Sequence, residues 1–367
     1  MSEWPAIDFG HTAFESAFGR GDVYAVAPDP TRMGKRPLDI AIAGAGGVAQ
    51  AKWIPAIRHL QMLGEPVRLA AVTDPRPDAV DKAARLGGAK AFADVSMLLA
   101  AQRPDLLIVT TADAAHAPVA TAALQSGVAC LIEKPLSRDY REAQALVRLA
   151  DEASVLLAAV ANKRFSPPYA MAKALIERGA LKAAPTVFSG KFTLGYPYVD
   201  LLEGGTVHLL DLARWLMGDV VRLHARGIAR DEGGVLSAVV SLAFASGAIG
   251  TLVTSAAALS FKPWERVEII GHHAFLVVDD QFETTLFDEE TGPAKSWRPA
   301  IPNTLMFDEA FGGYVGLLDN VLDAVRGITP LAATAKDGAA AIGLIEAIRR
   351  SLAEARDIDI VAEGLSP

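Results

Sequence analysis

Three short stretches carry residue types that can do chemistry together. The first is Gly44-Ala45-Gly46-Gly47-Val48-Ala49, a G-x-G-x-x-A turn. In such a turn the first glycine permits a tight bend and the second admits a pyrophosphate close to the backbone. The small last residue lets the next helix pack against its strand. That helix offers unpaired N–H groups and its positive dipole end to phosphate oxygens. The second is Asp74, at the end of the apolar run Val67–Val72. A carboxylate there accepts hydrogen bonds from ribose hydroxyls and repels a 2′-phosphate, which favours NAD over NADP. Arg76, two residues on, softens that preference and keeps NADP as a second candidate. The third is Glu133-Lys134-Pro135. An amine beside a nicotinamide can move a hydroxyl proton once burial or a cationic neighbour lowers its pKa toward neutrality. Glu133 is placed to orient it. Pro135 stiffens the exit, where the preceding peptide can be cis.

Each string alone could be a solvated turn, so the elements that carry them matter. Leu38–Ala43, Val67–Val72, Leu106–Thr110 and Val128–Ile132 are short apolar runs. Helical patterns lie between them, through Ile54, Ile57 and Leu60 and then from Ala79 to Leu86. This alternation predicts βαβ units, right-handed crossovers and a parallel sheet. Each chemical string then leaves the carboxyl end of a strand, the ligand side of such a sheet. After Phe165 the pattern changes. Pro167-Pro168 opens a helix through Met171, Leu175 and Ile176 to Gly179. Strand-like runs follow at 186–194, 221–230, 235–245, 248–254, 266–270 and 274–278, with Ser246-Gly247 as a hairpin turn. The predicted fold is α/β: an N-terminal parallel sheet with crossover helices, then a domain built on an antiparallel sheet. The expected division is an arm at 1–36, a dinucleotide-binding domain at 37–163, and a substrate-binding and oligomerisation domain at 164–367. The last helix is free to pack back on the first domain.

Composition narrows the function. The chain has 367 residues, enough for two cores, with 51% hydrophobic and 21% charged residues. Its net charge of −8 lacks the basic field that a nucleic-acid backbone needs. One cysteine, Cys130, excludes an intrachain disulfide. No apolar run is long enough to span a bilayer, and the first residues do not read as a secretory signal. The expected location is cytoplasmic. The arm reads as a loosely packed extension, although Trp4, Phe9, Phe14, Phe18 and Tyr24 also suit packing on a partner subunit. His272-His273 reads as a hairpin turn, and no metal site is predicted.

From Asp39 to about Ala362 the chain resembles the Gfo/Idh/MocA family (glucose–fructose oxidoreductase and inositol dehydrogenase). The marks are Gly44-Ala45-Gly46, Val72-Thr73-Asp74, Thr110-Thr111-Ala112-Asp113-Ala114-Ala115-His116 and Glu133-Lys134-Pro135-Leu136. They continue through Asn162-Lys163-Arg164-Phe165, His208-Leu209-Leu210-Asp211, and the stretch from Thr329-Pro330 to Asp337-Gly338. Their order and spacing carry the likeness more than any one string. The resemblance implies an N-terminal Rossmann, doubly wound parallel sheet followed by an α/β domain with a large, mostly antiparallel sheet; it implies too that Lys134 transfers the proton and that Thr111, His116 and Glu133 lie at the cofactor. It also implies that Asn162 and Arg164 border the cofactor and substrate, and that His208 meets the substrate with Asp211 nearby. A helix-packed His208 bonded to Asp211 is the plainer alternative. Members of this kind often carry an aspartate four residues before the histidine; here that position is Gly204, with Glu203 and Asp200 as the nearest carboxylates. Tyr196 and Tyr198 suit either stacking on a sugar or core packing.

The expected function is an NAD(P)-dependent oxidoreductase acting on the CH–OH group of a sugar, polyol or related hydroxy or carbonyl compound. The expected assembly is a homodimer or homotetramer through the C-terminal sheet. A redox-neutral, NAD-retaining glycosidase or epimerase and a non-catalytic nucleotide-binding protein are the alternatives.

Overall fold

Six short strands carry the first half of the chain: β1 (Leu38–Ala43), β2 (Val67–Thr73), β3 (Lys90–Phe92), β4 (Leu106–Val109), β5 (Ala129–Ile132) and β6 (Leu157–Ala159). In the computed structural model, which describes residues 29–196, 199–231, 233–259, 263–299 and 308–366, they form one sheet in the order 3-2-1-4-5-6. Every pairing is parallel. The aromatic-bearing residues of the arm up to Tyr24, and Tyr198, lie outside the described residues. Helices α1 (Ile54–Met62), α2 (Pro77–Gly87), α3 (Val95–Gln102), α4 (His116–Gln125) and α5 (Tyr140–Ala153) make the crossovers. β4 and, beyond Asp39, β1 are buried on both faces, which is why their sequences are apolar runs and not alternating ones.

The second half begins with α6 (Pro167–Glu177), β7 (Val187–Thr193) and α7 (Val207–Met217). There follow β8 (Val220–Ala229), β9 (Val235–Phe244), β10 (Ile249–Ser255), β11 (Trp264–Ile270), β12 (Phe275–Asp279), β13 (Glu283–Phe287) and β14 (Lys295–Trp297). Then come α8 (Tyr314–Val325), α9 (Ala335–Glu354) and the edge strand β15 (Ile358–Asp359). The nine strands form one sheet in the order 14-13-12-11-7-10-9-8-15. All its pairings are antiparallel except β7 with β10. Ser246-Gly247 and His272-His273 both sit at hairpin turns, as predicted. Alternate residues of these strands are buried against the helices. The other face leaves Val239, Ile249, Val253, Ile270, Phe275 and Phe287 exposed. Val239 pairs with Val253, and the Phe275 and Phe287 rings stack at 4.5 Å.

Two C-terminal helices return to the parallel sheet. Leu317, Leu318, Val321 and Leu322 of α8 join Ile54, Ile57 and Leu60 of α1 in one core on one of its faces. α9 starts on a Thr334–Asp337 capping box, in which each side chain accepts from the other residue's N–H. Its first turn presses on the exit of β6: a Cβ on Gly338 would lie 2.6 Å from the Ala159 Cβ. Residues 29–36 are tied down by ions. Arg32 bonds Glu65 and Asp319 at 2.6 Å each, and Lys35 bonds Asp323 at 2.8 Å. Among the described residues no helix is long and apolar enough to cross a membrane.

Candidate active site

The glycine turn leaves β1 in a conformation that only glycine tolerates. Gly44 has φ 97°, and a Cβ there would lie 2.4 Å from the Thr110 carbonyl carbon. Two backbone bonds lock the turn between its neighbours, Gly44 N–H to Thr73 at 2.8 Å and Thr110 N–H to Ala43 at 2.7 Å. Asp74 follows β2 and accepts the Ala45 N–H at 2.8 Å, so its carboxylate braces the turn. It also accepts the Arg76 N–H and Nε–H at 2.9 Å each. That guanidinium pairing, with the backbone donors, holds the Asp74 carboxyl below the usual carboxylate range. Arg76 itself is largely exposed.

The outer side of the turn is open. A Cβ at Gly47 would meet nothing within 4 Å, and Val48 is 44% exposed. Beside it the Thr111 hydroxyl oxygen is buried with no hydrogen-bond partner. Free helix-start N–H groups, open space and an orphaned hydroxyl together suit a dinucleotide pyrophosphate.

Lys134 leaves the carboxyl end of β5, on the same edge as the glycine turn. The Lys134–Pro135 peptide is cis. Glu133 is buried behind the lysine. One of its carboxylate oxygens accepts the Trp53 indole N–H and the other the Lys134 backbone N–H, each at 3.0 Å. Burial raises the Glu133 pKa against the pull of Lys134 and of those bonds. His116 is buried with its ring between two carbonyls, Pro135 O at 2.8 Å and Thr111 O at 3.2 Å. It therefore pins the Lys134 loop to the Thr111 loop.

The rest of the site comes from the second half. A cleft is lined by Lys134, Lys163, His208 and Asp211, with Val160, Val207, Gly338 and Ile342 as its apolar floor. His208, on α7, is half-buried. Burial, joined by the charges of Lys163 and Lys134, holds its imidazole well below the ordinary pKa and so neutral. It makes no hydrogen bond to Asp211, which instead takes Arg164 Nε–H at 2.9 Å. Arg164 is buried, and also bonds Ala332 O at 2.8 Å and Asp337 at 3.2 Å. Asn162 donates to Gly312 O at 2.6 Å and is not on the cleft wall. Tyr196 packs half-buried against the main core, away from that wall.

Of the motif Asn162-Lys163-Arg164, the cleft takes the middle residue. These residues lie on a 3₁₀ turn, where successive side chains point about 120° apart. Arg164 is spent on holding the fold and Asn162 gives its amide N–H to it, with its Oδ1 buried and unpartnered, while Lys163 faces the cleft and bonds Glu265 at 2.5 Å. Lys163 and Glu265 are the functional candidates that sequence reading missed. Turn phase could have flagged Lys163; nothing local marks Glu265, about a hundred residues away.

The position four residues before His208 holds no carboxylate, and neither neighbour replaces one. Glu203 is buried against Arg349 at 2.5 Å and Arg138 at 3.3 Å. Asp200 accepts the Leu202 and Glu203 N–H groups at 2.9 Å each. What Lys134 Nζ reaches is the Gly204 carbonyl, at 3.5 Å. A Cβ on Gly204 would lie 2.1 Å from Val199 Cγ1, so a side chain there requires Val199 to move.

Residues 38–161 match the Gfo/Idh/MocA model, an oxidoreductase family with an NAD-binding Rossmann fold, and residues 202–277 match the GFO/IDH/MocA C-terminal domain. The chain is 27% identical over 320 residues to myo-inositol 2-dehydrogenase of Thermotoga maritima, covering 82% of this chain and 93% of that one. It is 26% identical over 309 residues to inositol 2-dehydrogenase of Rhizobium meliloti, covering 80% and 92%. A levoglucosan dehydrogenase solved with NADH and levoglucosan superposes with a TM-score of 0.80 at 19% identity, covering 88% of this chain and 99% of that one; this likeness is one of fold.

Proposed function

The chain belongs to the Gfo/Idh/MocA oxidoreductase family, and from that premise we propose that it oxidises or reduces a CH–OH centre of a sugar, polyol or related compound with NAD. Lys134 moves the hydroxyl proton. One observation carries the reading: Lys134 and His208 meet in a single cleft, on the sheet edge that also bears the open glycine turn. The dehydrogenase relatives that match most of this chain support it.

The residues divide the work. Gly46, Gly47 and Val48 hold the pyrophosphate through backbone N–H groups, Asp74 the adenosine ribose, and Thr111 a hydroxyl or phosphate oxygen. NAD, when bound, supplies the hydride acceptor. The Lys134 amine takes the substrate hydroxyl proton in oxidation and, as the ammonium, returns it to the carbonyl oxygen in reduction; Glu133 fixes its backbone through the bond to the Lys134 N–H. The neutral His208 ring accepts a hydrogen bond from the same or a neighbouring hydroxyl. His116 acts as a positioning residue, because its ring is occupied by the two carbonyls it bridges.

The test is a panel of polyols and sugars with NAD and with NADP, read by absorbance of the reduced nicotinamide. Turnover of a CH–OH substrate with NAD, favoured over NADP, is expected. Sugar conversion on retained NAD with no net NADH would point to redox-neutral chemistry. Nucleotide binding without turnover of any kind would point to a non-catalytic role.

We propose as well that the exposed face of the nine-stranded sheet pairs with a second copy of the chain. Its exposed Val, Ile and Phe residues are neighbours and not scattered singly, Val239 beside Val253 and Phe275 stacked on Phe287. Sedimentation should give a dimer or tetramer, and Val253→Asp should shift it toward monomer.

A further inference from the structure

We infer that the substrate is an acid: a hydroxylated carbon chain or ring whose carboxylate pairs with the Lys163 ammonium while its reacting hydroxyl faces Lys134. This rests on the dehydrogenase reading and narrows its substrate class.

The argument is one of charge. Two ammonium groups, Lys134 and Lys163, stand on the cleft wall. Between them they bond one carboxylate, Glu265, at 2.5 Å from Lys163. Lys134 Nζ bonds a backbone carbonyl, that of Gly204 at 3.5 Å. The other nearby carboxylates are committed. Asp211, the one acid on the cleft wall, is held by Arg164. Glu203 is held by Arg349 and Arg138, and Asp200 by two backbone N–H groups. Glu133 stands behind Lys134, and its two oxygens are taken by the Trp53 and Lys134 N–H groups. Among the described residues the two ammonium groups therefore share one carboxylate within ion-pair distance.

Burial makes that shortage costly. Lys163 is 8% exposed, and a bound substrate would remove the water that remains. A neutral polyol would complete the desolvation of two ammonium groups that share Glu265 without supplying a second opposite charge. A carboxylate supplies it, together with a charge-assisted hydrogen bond to a donor that Glu265 leaves free. Hydroxyls alone would be served as well by Asn, Gln or Tyr, so a buried lysine held ready by a buried glutamate is selective chemistry. A phosphate fits less well. It draws on guanidinium forks or clustered backbone N–H groups, and the nearby guanidinium, Arg164, is occupied by Asp211, Asp337 and Ala332.

The experiment is calorimetric titration of the NADH-loaded full chain with two matched pairs, D-gluconate against D-glucitol and D-glucuronate against D-glucose. In at least one pair the acid should bind about tenfold more tightly than its neutral partner, the size of one charge-assisted hydrogen bond. Lys163→Gln combined with Glu265→Gln keeps a hydrogen-bonded pair and removes both charges; in that variant the advantage should fall to about threefold or less. Its melting curve and NADH affinity report whether the fold survives. If neither acid outbinds its neutral partner, or if the double variant keeps the full advantage, the inference is overturned. Failure of the unsubstituted chain to take up NADH is a different result, which sinks the dehydrogenase reading and this inference with it. The binding preference itself is read without turnover.

Discussion

At the carboxyl edge of the parallel sheet, chemical side chains are braced by backbone. Asp74 takes the Ala45 N–H, Glu133 takes the Lys134 N–H, and His116 spans the carbonyls of Thr111 and Pro135. On the side facing the antiparallel sheet they are braced by one another: Lys163 by Glu265, Arg164 by Asp211 and Asp337. The first arrangement depends on short loops between adjacent strands, so it is local and leaves Lys134 without a carboxylate on its amine. The second depends on charges brought together from distant parts of the chain, and most of those charges are consumed in holding the cleft wall. Two buried cations four and five positions beyond β6, Lys163 and Arg164, are thus not equivalent; one faces the cleft and the other fastens its wall.

Substitution on each side should break this contrast in different observables. Lys134→Ala should lower turnover roughly a thousandfold, about 4 kcal/mol, the middle of the range for a proton-transfer group. NAD affinity should change little, because no phosphate-binding feature is touched. Unchanged turnover would remove Lys134 from the chemistry. Arg164→Met should act on the other quantity. It strands Asp211 in a buried site and should reduce unfolding stability by about 3 kcal/mol in denaturant titration. If stability holds and substrate affinity alone falls, Arg164 belongs with the substrate contacts after all. Asp74→Ala returns to the backbone-braced side. It should weaken NAD binding by about 2 kcal/mol and narrow the preference over NADP. An unaltered NAD-to-NADP ratio would move the ribose contact elsewhere.

The same contrast explains what could be read from the chain alone. β1, β2, β4 and β5 were legible because strands buried on both faces are apolar nearly throughout, with Asp39 and Arg68 as the charged positions of β1 and β2, and the strings at their exits are contiguous. β3 and β6 were not: Lys90-Ala91-Phe92 and Leu157-Ala158-Ala159 are three residues each and owe their conformation to neighbouring strands. The position of α8 was equally hidden. Its apolar stripe shows that it packs, but not that it packs beside α1 on a sheet nearly three hundred residues earlier. In the site, Gly44, Asp74, Lys134 and His208 follow from motif and position. Lys163 needed the phase of a 3₁₀ turn, and Glu265 needed the register of β11 against β7. The fate of Glu203 was decided by Arg349, on a helix that no local pattern connects to it.

The smallest expected effect is also the one that separates the two sides most directly. His208 stands where they meet, with Lys134 contributed by one and Lys163 by the other. Burial first, then these two charges, depress its pKa in the folded chain below the unfolded value of about 6.5. As pH falls below that unfolded value, the unfolded chain takes up a proton that the folded chain refuses. Stability should therefore decline toward acid, by at most about 1.4 kcal/mol per pH unit from this residue. Above the unfolded pKa the residue contributes no slope. His208→Asn should flatten the acid limb of an unfolding titration by that amount and leave the neutral region unchanged. The ring resonances of His208 should likewise stay at their neutral positions as the pH is lowered through about 6. A midpoint at or above the ordinary histidine value would mean that a carboxylate, and not two ammonium groups, dominates the field at this ring. The neutral acceptor role of His208 would then fall.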